Sequence, residues 1–291
     1  MAVIETKKLT KNYGTVRGVT ELTLNVEEGD FFGFIGPNGA GKSTTIRTLL
    51  GLISPTAGTA SVLGLACTGD RVQLLQEVGY MPSEAMFYNG MRVREVIALS
   101  AGLHKRDCTA EAATLCKRLS LDTEKRIDEL SLGNRKKVAI VCALQHKPKL
   151  YILDEPTSGL DPFMQKAFFE LLQERSQAGA TIFLSSHVLP EIQHYCNRAA
   201  IIRDGRLAAL DSVENLMKTK AKRVTLQGVS AVPAALEARS VTESEHAVSF
   251  LYQGDIQALL QAISQLPIED MTITDPDLEE IFMHYYTQEE T

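Results

Sequence analysis

A lysine and a hydroxyl residue set behind closely spaced glycines can hold phosphate, and the chain carries that arrangement at Gly36-Pro37-Asn38-Gly39-Ala40-Gly41-Lys42-Ser43-Thr44. The spacing GxxxxGK[ST] lets backbone N–H groups close around phosphate oxygens, at a helix N-terminus whose partial positive charge favours anions. Lys42 then reaches the β- and γ-phosphates of a nucleotide, and Ser43 offers its hydroxyl to Mg²⁺. The flanks agree with this reading. Phe31-Phe32-Gly33-Phe34-Ile35 is a short apolar and aromatic run of strand type, and Ser43 to Leu50 reads as a helix. A kinase or a GTPase would carry the same segment, so it identifies the ligand rather than the task.

Two further segments follow in order. Leu130-Ser131-Leu132-Gly133-Asn134 by itself is an N-cap before a basic amphipathic helix over Asn134 to Gln145. Lys149 to Leu153 is a mostly apolar run that fits a buried parallel strand, and it ends in two carboxylates, Asp154 and Glu155. Alternation along a strand end prevents those two side chains from pointing the same way. Pro156-Thr157-Ser158-Gly159-Leu160-Asp161 comes next. Together, and in this order, the segments resemble the ATP-binding cassette (ABC) family, the engines of membrane transporters, over roughly the first three quarters of the chain.

The resemblance carries implications residue by residue. It implies that Asp154 holds Mg²⁺, that Glu155 polarises the attacking water, and that Asp161 lies at a dimer seam. Leu130 to Asn134 stands where the family has LSGGQ, with Ser131 and Gly133 matching and Leu132 and Asn134 departing. In the family that segment closes over the ATP of a partner chain, so an ATP-dependent dimer with two composite sites is implied, built from two copies of this chain or from one copy and a related ATPase. Tyr13, in Lys11-Asn12-Tyr13-Gly14, stands where an aromatic stacks on adenine. His187, after the run Thr181-Ile182-Phe183-Leu184-Ser185-Ser186, matches the histidine that senses the γ-phosphate. One position departs. Val78-Gly79-Tyr80-Met81-Pro82-Ser83-Glu84 puts Ser83 where the family usually has a glutamine that touches Mg²⁺ and water and links them to the transmembrane partner. The Ser83 hydroxyl can still bind the metal through water, but it is shorter and cannot donate as an amide does.

These groups need an α/β scaffold. The resemblance implies a P-loop NTPase cassette over residues 1–217, with a β-rich edge subdomain from about Ala2 to Leu65 and an inserted helical subdomain over about 91–145. Helical spacing supports the insertion at Val93, Val96, Ile97 and Ser100 and again at Ala112, Leu115, Cys116 and Leu119. Asp204-Gly205-Arg206 reads as a hairpin turn. The basic stretch 218–223 reads as a linker. A small α/β accessory domain over 224–291 is expected beyond it, with strands at Val224 to Leu226, Ala247 to Leu251 and Met271 to Ile273. Helices are expected at Pro233 to Arg239, Asp255 to Gln265 and Pro276 to Tyr286. The tail Asp277-Leu278-Glu279-Glu280-Ile281-Phe282 resembles those of ABC-2 type bacterial and archaeal exporter ATPases, which implies export of a drug or antimicrobial peptide.

Composition narrows the setting. The 291 residues are 44% hydrophobic, ample for a packed core. A formal net charge of −6 leaves no electrostatic footprint for nucleic acid, so none is expected as a partner. Five cysteines without CxxC spacing read as buried thiols of a reducing compartment. No apolar stretch approaches the roughly 18 residues that span a bilayer. The expectation is therefore a cytoplasmic ATPase held at the inner face of the cell membrane by a separate permease. A soluble ABC-type ATPase acting elsewhere, or a nucleotide-dependent regulator, is the competing expectation.

Overall fold

In the computed structural model, the described residues are 2–14, 16–217, 221–233, 236, 238–264 and 266–276. The chain forms two compact units, Met1–Val213 and Glu214–Thr291. The first opens with a long hairpin, β1 (Ala2–Tyr13) and β2 (Val16–Glu27), followed by β3 (Phe31–Ile35) and α1 (Lys42–Leu49). Next come β4 (Ala57–Val62), β5 (Leu65–Ala66), α2 (Arg71–Glu77) and β6 (Val78–Met81). Three helices then interrupt the strands: α3 (Val93–Leu103), α4 (Thr109–Arg118) and α5 (Leu132–Leu144). The unit continues through β7 (Leu150–Asp154), α6 (Pro162–Gln177), β8 (Thr181–Ser186), α7 (Leu189–Tyr195), β9 (Arg198–Arg203) and β10 (Arg206–Ser212).

The strands sort into two sheets. The edge sheet is antiparallel in the order β2-β1-β4-β5, and the central sheet runs β10-β9-β3-β8-β7-β6. Within the central sheet β9, β3, β8, β7 and β6 are parallel, and only β10 is antiparallel to its neighbour. Every residue of β3, β7 and β8 is buried, which is why their sequences are continuous apolar runs rather than alternating ones. Phe32 stacks on Phe183 with ring centroids 5.6 Å apart. Each such buried aromatic contributes about 2–3 kcal/mol by removal from water. One core joins the two sheets through α1, with Ile46 and Leu49 against Ile4, Leu22, Phe34 and Ile152.

Polar staples close the ends of the sheet. Buried Asp30 accepts from the Arg198 guanidinium at 2.6 Å and from the Asn197 amide at 3.2 Å, which ties the start of β3 to the start of β9. The β9–β10 turn falls at Asp204 and Gly205, with φ of 48° and 74°, as a two-residue hairpin with both central residues left-handed requires.

The second unit is described by α8 (Val213–Met217, across its boundary), β11 (Lys222–Gln227), β12 (Ala238–Glu243), β13 (Ala247–Tyr252), α9 (Ile256–Ile263) and β14 (Asp270–Thr274). Its antiparallel sheet has the order β12-β13-β11-β14 and packs Val224, Leu226, Val248 and Phe250 with Leu259 and Ile263 of α9. Asp255 caps α9 by accepting from the Ala258 N–H at 3.1 Å. Two sequence expectations change here. Lys222 and Arg223, read as linker, open β11 and pair with Tyr252 and Leu251. Ala238 and Arg239, read as the end of a helix, belong to β12, because pairing with β13 supplies hydrogen bonds that a short helix after Pro233 could not match. The helix expected over Pro276 to Tyr286 lies largely outside the described residues, as does its apolar face.

Candidate functional site

The parallel strands deliver their carboxyl ends to one edge of the central sheet. β3 ends at Ile35, level with Ser186 of β8, and Asp154 of β7 is level with Ser185. The glycine loop, the Asp154-Glu155 pair and His187 therefore leave three adjacent strands side by side. Open α/β sheets bind ligands at this edge.

The loop from Gly36 to Gly41 is shaped by its glycines. Gly41 has φ +105°, and a Cβ there would lie 2.7 Å from the Gly18 carbonyl; a Cβ at Gly36 would lie 2.7 Å from the Ile202 carbonyl. Gly39 is also left-handed, at φ +84°, and has open space where a side chain would stand. Ala40 N–H donates to the Pro37 carbonyl at 3.2 Å and holds the turn. Gly41 is the N-cap of α1, and no side chain caps the helix. The first-turn N–H groups of Lys42, Ser43 and Thr44 thus have no intrahelical acceptor and suit an anion. Lys42, rather than Ser43, is the first helical residue.

Lys42, Glu155 and His187 converge. Lys42 Nζ donates to the Gly36 carbonyl at 2.5 Å and the Pro37 carbonyl at 3.1 Å, and pairs with Glu155 at 3.0 Å. The other oxygen of Glu155 meets His187 Nδ1 at 2.6 Å. Lys42 is 6% exposed and the Glu155 side chain 15%, whereas that of His187 is 51% exposed. Glu155 has φ 47°, a left-handed conformation costing a non-glycine residue on the order of 1 kcal/mol. Its N–H compensates by donating to both the carbonyl and the hydroxyl of Ser185, each at 3.2 Å. The Ser185 hydroxyl in turn donates to Asp154 at 2.6 Å. As the strand alternation requires, Asp154 turns into the protein at 1% exposure and Glu155 turns toward the loop.

Oxygen donors for a divalent cation are present on both sides. Ser43 stands on the first turn of α1, which packs on β7, and Asp154 ends β7. A magnesium site needs one or two protein oxygens, with phosphates and waters completing the shell. Among the described residues no group of three or more His, Cys, Asp or Glu could hold a metal without such help. The residues present therefore fit Mg²⁺ carried in with a nucleotide.

The remaining sequence candidates lie further out. Tyr13 ends β1, 44% exposed, with the Lys11 ammonium 5.3 Å from its ring centroid. Ser131 is the N-cap of α5, accepting from the Asn134 N–H at 3.4 Å, so that helix begins two residues before the expected Asn134. Gly133 sits against the loop of Asp161, since a Cβ on Gly133 would lie 3.0 Å from the Gly159 carbonyl. Asp161 caps α6 through the Met164 N–H at 3.1 Å, and Pro162 follows at its first turn. No hydrogen bond or ion pair joins Tyr13, Ser131 or Asp161 to Lys42, Glu155 or His187 among the described residues. Ser83 leaves β6, and its carbonyl accepts from Lys136 Nζ at 2.6 Å.

Sequence reasoning passed over three supports. Ser185 belongs to no phosphate-binding motif, although a serine pair ending an apolar strand is a signal for buried hydrogen bonding. Buried Glu191 accepts from the Ser186 hydroxyl at 2.9 Å, and the same hydroxyl accepts from the Val188 N–H, so the chain around His187 is held from behind. Burial raises the Glu191 carboxyl above the usual range, against the hydrogen bonds from Thr157 and Ser186. Lys136 is the third.

Comparison with known proteins agrees with the site. The ABC transporter family model matches residues 19–158. The bacitracin transport ATP-binding protein BcrA of Bacillus licheniformis is 38% identical over 232 residues, covering 77% of this chain and 74% of its own. An uncharacterized ABC transporter ATP-binding protein of Synechocystis is 32% identical, covering 97% of this chain and 84% of its own. A solved ATP-binding subunit of an ABC transporter superposes with a TM-score of 0.69 at 31% identity, covering 74% of this chain and 91% of that one. No helix among the described residues is long and apolar enough to cross a membrane. Matches of this breadth make the chain a member of the ABC transporter family, among its ATP-binding and ATP-hydrolysing subunits.

Proposed function

We propose that the chain hydrolyses ATP at the Lys42–Glu155–His187 cluster and drives a separate membrane permease, in the direction of export. The convergence of those three side chains beside the glycine loop is the observation that carries the reading. The loop amides from Gly36 to Thr44 receive the phosphates, with Tyr13 under the adenine. An arriving γ-phosphate competes with Glu155 for Lys42, which frees the carboxylate to accept a hydrogen bond from water. His187, already bonded to Glu155, steadies it and faces the γ-phosphate. Ser43 and Asp154 would hold Mg²⁺, with Ser83 near it, and the ion would supply neutralisation of phosphate charge. Rate then comes from positioning and charge stabilisation rather than from a covalent intermediate.

Ser131, Gly133 and Asp161 serve the nucleotide of a second chain in a head-to-tail dimer, either another copy or a related ATPase. The permease is accommodated by an apolar groove of about 390 Å³ on the helical subdomain, lined by Met86, Phe87, Tyr88, Val96, Leu99 and Leu103. Met86 is 87% exposed and Leu103 67%, an apolar surface that a partner would cover. Held there, the chain works at the inner face of the cell membrane. The kinship with a bacitracin transport protein and the resemblance of the tail support export.

Phosphate release by the purified chain with ATP and Mg²⁺ tests the reading. Glu155→Gln should lower turnover by about 100-fold or more while ATP still binds. Hydrolysis at the unmodified rate would overturn the assignment.

A further inference from the structure

Lys136 occupies an unusual place for a lysine. Lys136, Ala139, Ile140 and Ala143 follow one another at helical spacing along α5, and all four are buried. An ammonium is strongly hydrated and is seldom enclosed without partners. Lys136 is 2% exposed, and of its three N–H donors one is used, on the Ser83 carbonyl at 2.6 Å. No carboxylate lies within ion-pair distance of it among the described residues. Burial lowers its pKa, while the charges of Asp154, Glu155 and Glu84 oppose that fall.

The strand register says what lies beside this cation. β6 and β7 are parallel neighbours with Met81 level with Leu153, so the chain leaving β6 reaches Ser83 where the chain leaving β7 reaches Glu155. Lys136 therefore pins the loop next to the Asp154-Glu155 strand end, from a helix that begins at Ser131.

We propose that Lys136 is a positioning residue for hydrolysis: from α5 it holds the Ser83 carbonyl, and with it the loop that leaves β6 beside the Asp154-Glu155 strand end. The inference rests on the ATPase reading above. It makes α5 a direct mechanical link between Ser131 at its start and the loop beside the site, so that movement of the helical subdomain is felt at Ser83.

Lys136→Met and Lys136→Gln test this. Hydrogen–deuterium exchange of residues 82–90, followed without added nucleotide, should rise in Lys136→Met. Its kcat should fall about tenfold with the KM for ATP changed less than about threefold, as expected of a lost positioning contact. Lys136→Gln, which keeps a donor, should fall between Lys136→Met and the unmodified chain. Unchanged exchange and kcat in folded Lys136→Met would overturn the proposal, as would a kcat loss without faster exchange of the 82–90 loop. If Glu155→Gln hydrolysed normally, the assignment of Glu155 would fail while the exchange result would still stand for the loop.

Discussion

At the residue scale, a hydroxyl that is not ionisable organises both carboxylates at the strand end of the site. Ser185 donates to Asp154 and accepts from the Glu155 N–H, so one hydroxyl fixes both carboxylates of the strand end. Ser185→Ala removes both bonds and leaves a buried carboxylate oxygen short of a donor. Stability should fall by about 1–3 kcal/mol, the cost of an unsatisfied buried group. The kcat should fall about tenfold as Glu155, in its left-handed conformation, keeps only the Ser185 carbonyl as acceptor for its N–H, while ATP affinity, set by the loop amides, stays nearly unchanged. Urea denaturation and steady-state kinetics read these separately, and a normal kcat would remove Ser185 from the account. Residues such as Lys42 and His187 were legible in the sequence because their motifs are local, a few positions around one turn. Ser185 and Lys136 were not, because their partners lie 31 and 53 positions away and only the strand register brings them close. For Lys136 a signal did exist. Its spacing with Ala139, Ile140 and Ala143 marks a buried face, yet it sits in the run Arg135-Lys136-Lys137, which reads as solvated.

At the scale of elements, burial and pairing decided what periodicity left open. Continuous apolar runs at β3, β7 and β8 were readable as central parallel strands, and the three helices of the insertion were readable from their spacing. Ala238 and Arg239 were misread because local propensity around Pro233 carries no information about the edge of β13 waiting to be paired. The helical insertion also holds a pair that no motif announced. His104, the C-cap of α3, stacks on His146, just past α5, with centroids 3.6 Å apart. Burial pushes His146 down from 6.5 to about 3, with His104 and Arg106 acting in the same direction. Burial also lowers His104, assisted by Arg106 and opposed by the Gln76 carbonyl and Glu77. Both folded values lie below the unfolded one, so below pH 6.5 the unfolded chain takes up protons that the folded chain refuses. Stability is therefore full above that pH and falls as pH drops toward 3, by up to about 1.4 kcal/mol per unit for His146. Urea denaturation of the first unit at pH 7.5 and 5.0 should show a loss of about 2 kcal/mol from this group that shrinks in His146→Asn. An identical loss in the variant would place the acid sensitivity elsewhere.

For the whole molecule the question is whether one chain carries half of two sites. Leu132 and Gly133, just after Ser131, lie against Gly159 in the loop that leads to Asp161, while Lys42, Glu155 and His187 bond among themselves. If both sets act on one nucleotide, the second set comes from another chain, as the proposed head-to-tail dimer requires. The exposure of Leu132 at 66% and Phe163 at 83% leaves apolar surface next to Ser131 and Asp161 for that chain to cover. Turnover per chain should then rise with protein concentration and level off once dimers fill, whereas a self-sufficient monomer would show no such rise. Mixing gives the sharper test. Lys42→Ala lacks its own phosphate lysine but keeps Ser131; Ser131→Arg keeps the loop but cannot close on a partner. Each alone should be nearly inactive, and a mixture should recover activity, because the mixed dimer has one site with an intact loop facing an intact Ser131. Recovery assigns the two halves to different chains. If both variants fold and bind ATP but their mixture stays inactive, the composite site between two copies is excluded. A related ATPase would then have to supply the missing half.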